Sequence, residues 1–229
     1  MKIVPCEVNL IQVMGDENTI VDAARVSFAK RAKDYTPEQN QRLIKYLATH
    51  NHWTPFSHCV ATFQIKAPIF VARQLMRHTV GLSVNETSRR YVDEEPEYFL
   101  PQAWRSRPEN GMKQGSGVNE IKIVKHLDIG INEYWESPID CSAFNHVEAC
   151  DAFYKDLINA GVAPEQARMV LPQNMMTEWW WTGSLAAWAR VFNLRLDPHT
   201  QQETRDVVQS MYDALLPSFP NALTALMKG

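Results

Sequence analysis

The chain is short of the features that mark a secreted or membrane-spanning protein. Its four cysteines are widely spaced and form no C-x-x-C pair, so we expect free thiols in a reducing compartment. No run approaches the roughly 20 apolar residues that span a membrane. The first residues, 1–5, lack the apolar segment of a signal peptide. We therefore expect a cytoplasmic protein without a membrane partner.

Two familiar phosphate-binding motifs are also missing. No G-x-G-x-x-G follows a predicted strand, and no G-x-x-x-x-G-K-[ST] occurs, so neither a Rossmann nucleotide site nor a P-loop is indicated. The formal net charge of -3 provides no general attraction to nucleic acid, and we expect no nucleic-acid partner.

The hydrophobic periodicity of the 229 residues alternates between helical and extended segments. Because the predicted strands are few and far apart in sequence, we expect an α+β fold with a mostly antiparallel sheet flanked by helices. We expect one domain over residues 1–229, with a long loop or insert around 101–140. The individual predictions include strands at 2–13, 59–66 and 175–182 (the last buried on both faces) and helices at 20–28, 69–76, 119–136, 144–160, 184–194 and from Asp197-Pro198 to 216.

The segment from Arg77 to Tyr91 is unusually rich in directional hydrogen-bonding groups. Guanidinium groups match the geometry of phosphate and carboxylate, and the nearby Asn85 and Glu86 can contact the edge of a heteroaromatic ring. The segment therefore indicates a pocket for an anionic, ring-bearing ligand such as a nucleotide. A solvated, charged helix face is the simpler alternative. The spacing from Ser83 to Glu86 also matches a capping box, which would start a short helix or order a loop.

Three further features allow both a functional and a simpler structural interpretation. His50, His52 and His58 invite a zinc site, but no cysteine or carboxylate lies at ligand spacing, so we favour loop histidines and expect no metal. Ser88 lacks the G-x-S-x-G elbow of a nucleophile, so its hydroxyl is better suited to bind phosphate. Arg195 ends a predicted helix, where an arginine can simply stabilise the helix dipole.

Several separated segments resemble the flavin-dependent thymidylate synthases, in order and in approximate spacing over nearly the whole chain. These segments are Asp22-Ala23-Ala24-Arg25-Val26-Ser27, Thr54-Pro55-Phe56-Ser57-His58, Ala67-Pro68-Ile69-Phe70-Val71-Ala72-Arg73-Gln74, Arg77-His78, Asn85-Glu86-Thr87-Ser88-Arg89-Arg90-Tyr91, Lys113-Gln114-Gly115-Ser116, Ala167-Arg168-Met169-Val170-Leu171-Pro172 and Phe192-Asn193-Leu194-Arg195.

The resemblance implies an enzyme that makes thymidylate (dTMP) from deoxyuridylate (dUMP). In that family 5,10-methylenetetrahydrofolate donates the one-carbon unit, and NADPH reduces a bound FAD that supplies the hydride for the methyl group. The family's fold is an α+β domain, and its members are homotetramers whose active sites are shared between subunits.

The resemblance also implies roles for individual residues. Arg195, which would stabilise negative charge at N3 and O2 of the uracil, and Ser88 are the candidate catalytic residues. Contacts to dUMP would come from Gln74, Arg77, Glu86, Thr87, Ser88, Arg89, Arg90, Arg168 and Arg195. Contacts to FAD would come from His52, Thr54, Arg77, His78, Thr79, Asn85, Glu86, Ser184 and Arg190.

The chain departs from the family pattern at two places that bear on the flavin. The usual Arg-His-Arg triplet has Thr79 at its third position, and Ser184 and Ala186 stand where an Asn and an Arg are usual. Arg73 or Arg190 is a candidate to replace the missing arginine.

Other functions remain open at this point. One alternative is an NADPH-oxidising flavoprotein that transfers no methyl group, and another is a nucleotide-binding module without enzymatic activity. A histidine-metal hydrolase is a third. Because none of the four cysteines lies in the arginine-rich segments, a cysteine-dependent route to thymidylate is not indicated.

Overall fold

The computed structural model describes residues 1–91, 94–108, 115–128 and 132–227. The chain folds as two compact units. The smaller unit comprises Met1–Cys6, Ala67–Ala72 and Thr87–Thr177, and the larger comprises Glu7–Lys66, Arg73–Glu86 and Glu178–Gly229. The expectation of one domain over the whole chain stays a prediction.

A four-stranded sheet dominates the larger unit. Its strands are β2 (Glu7–Met14), β3 (Val60–Pro68), β4 (Leu82–Glu86) and β8 (Met176–Ser184), and they lie in the order β2-β3-β8-β4. β2 pairs antiparallel with β3, and β4 pairs antiparallel with β8. Helices accompany this sheet, so the predicted α+β class with a mostly antiparallel sheet is confirmed.

Alternating burial explains why the central strands form where they do. In β3, Ala61, Phe63 and Ile65 are buried while the residues between them are partly exposed, which is the period of a strand with one face on a core. In β8, Trp179 and Trp181 are buried, whereas the side chain of Trp180 is 49% exposed. The expectation that this strand is buried on both faces was therefore wrong in the isolated chain, because successive side chains point to opposite faces.

Three helices of the larger unit begin at a residue whose side chain accepts from a backbone N–H group of the first turn. Asp16 caps α1 (Glu17–Arg25), and Thr36 caps α2 (Pro37–Thr49); each forms a reciprocal capping box. Ser184 caps α6 (Leu185–Arg195) through a hydrogen bond from the Ala187 N–H. The remaining helices are α7 (Gln202–Leu215) and α8 (Pro220–Leu226). Helix α7 begins later than predicted because the Asp197 carboxylate accepts from the His199 N–H and closes a turn instead.

The core of the larger unit is aromatic. Trp188 of α6 is fully buried and donates from Nε1 to the carbonyl of Ala61 at 3.3 Å. Its ring packs edge-on against Phe63 and Trp181, with centroids 5.1 and 5.0 Å away. These contacts fix α6 against β3 and β8, so they also fix the position of the arginines that α6 carries.

The smaller unit has its own elements and its own core. Strand β1 (Lys2–Ile3) pairs parallel with β5 (Glu97–Tyr98), and β6 (Ile123–Asp128) pairs antiparallel with β7 (Glu133–Pro138). Helices α4 (Ile139–Asn159) and α5 (Pro164–Ala167) follow. Tyr98, Val147 and Met175 form the buried cluster, and the Tyr98 hydroxyl donates to Asp151 at 2.9 Å.

The helix predicted over 119–136 was wrong, because the segment contains the strands β6 and β7. β-branched and aromatic residues such as Ile123, Val124 and Trp135 suit paired strands. Within 101–119 the structure describes 101–108 and 115–119, where the pairing is a single bridge between Arg105 and Glu120. Residues 109–114 and 129–131 of the predicted insert lie outside the described residues. No helix within the described ranges is both long and apolar enough to cross a membrane.

Candidate active site

Arg195, the last residue of α6, lies against the end of another helix. Its Nε donates to Nε2 of His78 at 3.0 Å, and its Nη2 donates to the main-chain carbonyl of Gln74 at 2.9 Å. Gln74 is the penultimate residue of α3 (Ile69–Leu75), so its carbonyl is among those that an α-helix leaves unpaired at its C-terminus. The guanidinium is therefore held by two acceptors of one short segment.

Electrostatics in this region favour a bound anion. Burial lowers the pKa of Arg195, and the nearby Arg77 lowers it further. An arginine stays protonated at physiological pH, so Arg77 and Arg195 place two positive charges in one neighbourhood. A negatively charged ligand would relieve their repulsion.

The environment of His78 favours the neutral form of its ring. Burial lowers its pKa from the ordinary 6.5, and the charges of Arg195 and Arg190 lower it further. A neutral imidazole has one acceptor nitrogen. Since Arg195 donates to Nε2, the ring proton must be on Nδ1.

The turn between α3 and β4 is fixed by α6 at a second point. Arg190 donates from Nη2 to the carbonyl of Val80 at 2.8 Å. Gly81 follows with a φ of +74°, a conformation that glycine adopts without strain, and a Cβ there would lie 3.3 Å from the Cβ of Ala187. Thr79 is exposed in this same turn.

The predicted capping box at Ser83 and Glu86 is not a helix start. These residues belong to β4, in which Asn85 pairs with Trp180 and Glu86 with Trp179. The main chain of the segment is thus fixed by strand pairing, and both Asn85 and Glu86 are exposed. The structure places them in the larger unit with Gln74, Arg77 and Arg195.

Other predicted nucleotide contacts lie in the smaller unit. The hydroxyl of Ser88 accepts from the main-chain N–H of Arg90 at 3.4 Å and from its Nε at 3.3 Å. Arg89 donates to the carbonyl of Glu94 at 2.6 Å, and Arg168 donates from Nε to that of Glu165 at 3.3 Å. Thr87 is exposed. Ser88 is therefore engaged by a cation, which suits an anion-binding hydroxyl better than a nucleophile.

His52 and Thr54 border a separate cleft of about 420 Å³ in the larger unit. The other lining residues have no predicted role, although the segment 22–27, which resembles the family, supplies three of them. The complete lining is Ala23, Ala24, Ser27, Leu47, Asn51, His52, Trp53, Thr54 and Pro55.

Two of the three histidines, His50 and His52, lie in an aromatic cluster with Tyr46. His50 stacks on Tyr46 with ring centroids 4.0 Å apart, and the ring centroid of His52 lies 6.3 Å from that of His50. Among the residues that the structure describes, no three His, Cys, Asp or Glu side chains come together in a way that could hold a metal ion.

Known proteins give the context for this geometry. A family model described as "Thymidylate synthase complementing protein" matches residues 9–221. The flavin-dependent thymidylate synthase of Thermosipho africanus is 37% identical over 220 residues, which cover 96% of this chain and 90% of that protein. The corresponding enzyme of Kosmotoga olearia is 39% identical over 196 residues, 86% of this chain and 79% of that protein.

A solved structure is similar over the full length. The UMP/dUMP methylase PolB from Streptomyces cacaoi, bound with 5-Br dUMP, superposes with a TM-score of 0.81 at 27% identity. The alignment covers 100% of this chain and 97% of that chain. Because the family model spans most of the sequence and the relatives exceed a third identity over nearly all of it, this chain belongs to the flavin-dependent thymidylate synthase family.

Proposed function

We propose that this chain converts dUMP to dTMP with 5,10-methylenetetrahydrofolate as the one-carbon donor, FAD as the flavin and NADPH as the reductant. The observation that carries the proposal is the fixed guanidinium of Arg195, held by His78 and the Gln74 carbonyl near a second cation, Arg77. The two electrons that turn the methylene group into a methyl group come from NADPH, so the folate leaves as tetrahydrofolate.

Arg195 activates the uracil ring in this proposal. Its guanidinium stabilises negative charge at N3 and O2, which raises the electron density at C5 for attack on the one-carbon unit. The two acceptors that hold Arg195 keep it in place before the charge develops, so no reorganisation is needed in the transition state.

The remaining nucleotide contacts are proposed from the resemblance, and the charges of these residues support it. Four of them are arginines, which suit a phosphate. The Ser88 hydroxyl is engaged by Arg90, which suits a hydroxyl that orients a phosphate oxygen, and Ser88 is kept as a proposed catalytic residue. The proposed dUMP contacts are Gln74, Arg77, Glu86, Thr87, Ser88, Arg89, Arg90, Arg168 and Arg195.

The residues of the larger unit fit a flavin dinucleotide by their chemistry. Arg77 and Arg190 provide cations for a pyrophosphate, and the exposed ring of Trp53 beside the cleft offers a surface for an aromatic system. When bound, the flavin supplies the hydride that completes the methyl group after its reduction by NADPH. The proposed FAD contacts are His52, Thr54, Arg77, His78, Thr79, Asn85, Glu86, Ser184 and Arg190.

The two departures from the family pattern have different consequences. Arg190 is fixed on the Val80 carbonyl directly beside Thr79, which supports Arg190 as the cation that replaces the missing arginine. Ser184 already accepts from the Ala187 N–H, and Ala186 is buried, so we assign this segment main-chain contacts in addition to the Ser184 hydroxyl.

A protein nucleophile is not part of this proposal. Burial raises the pKa of the Cys59 thiol to about 12, and nearby Asp16 and Glu17 act in the same direction. The thiolate, which is the reactive form, is therefore rare at neutral pH.

We further propose that the chain works as a homotetramer in the cytoplasm. The resemblance supports this proposal, and the exposed side chains of Trp53 and Trp180 offer apolar surface for contacts between subunits.

Tritium release from 5-tritiated dUMP tests the function directly. The purified protein is incubated with FAD, NADPH and 5,10-methylenetetrahydrofolate, and parallel reactions omit FAD or folate. Release that requires both supports the proposal. NADPH oxidation without release would instead support a flavoprotein that transfers no methyl group, and dUMP binding without flavin would support a binding module.

A further inference from the structure

A chain of side-chain hydrogen bonds connects α7 to the proposed nucleotide contact Gln74. Gln201 donates from Nε2 to Oε2 of Glu203 at 3.0 Å, and it accepts at Oε1 from Nε2 of Gln74. All three residues belong to the larger unit.

The direction of this chain is set at its buried end. Glu203 is only 9% exposed, and its Oε2 accepts from Nε2 of Gln201 at 3.0 Å. The amide nitrogen of Gln201 must therefore face Glu203, which turns the amide oxygen of Gln201 toward Gln74. Gln74 in turn must present Nε2 to Gln201, and this leaves its Oε1 as the acceptor for a ligand.

The main chain of both glutamines is fixed as well. The Gln201 carbonyl accepts from the Arg205 N–H at 3.0 Å in the first turn of α7. The Gln74 carbonyl accepts from Arg195. Neither side chain can adjust by moving its backbone. The side-chain contacts therefore determine which way the oxygen and the nitrogen of the Gln74 amide point.

We propose that Gln201 is a positioning residue that fixes the Gln74 amide with its oxygen toward the nucleotide. The site then selects a ligand that carries a hydrogen-bond donor at this point, either the N3–H of a uracil ring or the 3′-hydroxyl of the sugar. This inference rests on the proposed function, since it takes Gln74 to contact dUMP.

Gln201→Leu removes both hydrogen bonds of the side chain while keeping its size. Gln202→Leu is the matched control, because the neighbouring Gln202 bonds to Asp206 and Arg205 and not to Gln74. In Gln201→Leu we expect the Kd for dUMP to rise by roughly three- to tenfold, the range for losing one orienting hydrogen bond. The flavin content, and the Kd in Gln202→Leu, should not change.

Two dUMP analogues separate positioning from a general structural role. One carries a methyl group on N3, and the other lacks the 3′-hydroxyl. If Gln74 accepts from one of these donors, the effect of Gln201→Leu should disappear for the analogue that lacks that donor. Calorimetric titration of both variants and the wild type with all three ligands provides the comparison.

Each outcome decides the matter. An effect that is lost with one analogue supports the inference and identifies the donor. Equal weakening of all three ligands, or an unchanged Kd for dUMP, overturns it. The proposed function is tested separately with the wild type, which must release tritium from dUMP. That result does not depend on how Gln201→Leu changes the Kd for dUMP.

Discussion

Arg195 and His78 are 117 positions apart in the chain, and the Nε of the arginine lies 3.0 Å from Nε2 of the histidine. The contact requires a neutral ring with its proton on Nδ1, and the lowered pKa of His78 favours that form. A charged arginine is thus held by an uncharged acceptor. Its positive charge is not neutralised by this contact and remains available to a substrate anion.

Replacing Arg195 should greatly reduce turnover and leave the fold intact. In Arg195→Ala we expect kcat to fall by roughly 100- to 1,000-fold, the range for losing one stabilising donor, because the variant has no guanidinium held at the end of α3. Tritium release measures the turnover, and thermal unfolding measures the fold. Arg42 of α2 donates from Nε to the carbonyl of Glu38 in the same helix. Arg42→Ala is therefore the control and should retain activity. Near-normal turnover in Arg195→Ala would refute the role.

The His78 contact predicts loss of activity on the acid side. As the pH falls through the pKa of His78, which lies below the usual 6.5, the ring gains a proton, loses its acceptor nitrogen and adds a further cation beside Arg195. The unfolded chain binds this proton more readily, so the stability contributed by the neutral ring is present above the ordinary pKa and is lost as the pH falls through the lowered one.

His78→Gln tests that explanation, because an amide oxygen can accept from Arg195 but does not titrate. We expect the acid limb of kcat/KM against pH to become flatter in this variant. Flavin absorbance must be recorded at each pH, since His78 is also a proposed flavin contact. An acid limb identical to that of the wild type would assign the titration to another group.

Gly15 should tolerate a side chain worse than Gly161 does. Both have a left-handed φ, +83° and +84°, so alanine costs about 1–2 kcal/mol at either position. A Cβ at Gly15 would also lie 2.9 Å from Sγ of the buried Cys59, whereas one at Gly161 meets nothing within 4 Å. We expect Gly15→Ala to lower the free energy of unfolding by about 1–3 kcal/mol more than Gly161→Ala.

Urea unfolding of the two glycine variants measures this difference. Adding Cys59→Ala to Gly15→Ala should recover part of the extra loss, since it removes the sulfur that the new Cβ would meet. If the two single variants are equally destabilised, the contact with Cys59 has no energetic weight.

The cysteines should differ in their reaction with iodoacetamide. Cys59 is fully buried and its thiol pKa is raised to about 12, while Cys141 is exposed. Because only the thiolate reacts, the native protein at pH 8 should be modified at Cys141 and not at Cys59. Mass spectrometry of peptides identifies the modified residue, and unfolding in urea should make Cys59 reactive. Rapid modification of native Cys59 would contradict its burial.

Local patterns predicted the elements whose causes are local. The capping residues Asp16 and Ser184 start helices close to the predicted 20–28 and 184–194, and the alternation of β3 is visible in its residues. The family resemblance was equally accessible, since it depends on short motifs in order along the chain. It gave the predicted site residues, whose roles remain predictions.

Elements with two compatible local structures were predicted wrongly or left open. The segment 119–136 has apolar residues that suit a helix or a hairpin, and Ser83 to Glu86 suits a cap or a strand. Strand pairing decided both cases, in β6 with β7 and in β4 with β8. For β4 the partner strand β8 lies far away in the chain, so no local pattern reveals the pairing.

The amino-acid sequence by itself determined the α+β class, the family and the set of arginines available to a nucleotide. Only the tertiary structure decided that Arg195 holds the end of α3 instead of stabilising its own helix, and that Gln201 and Glu203 set the direction of the Gln74 amide. The physical reason is that hydrogen bonds act over about 3 Å in space. The bonds that join Gln74 to Arg195 and to Gln201 connect residues 121 and 127 positions apart, so no local pattern reveals them.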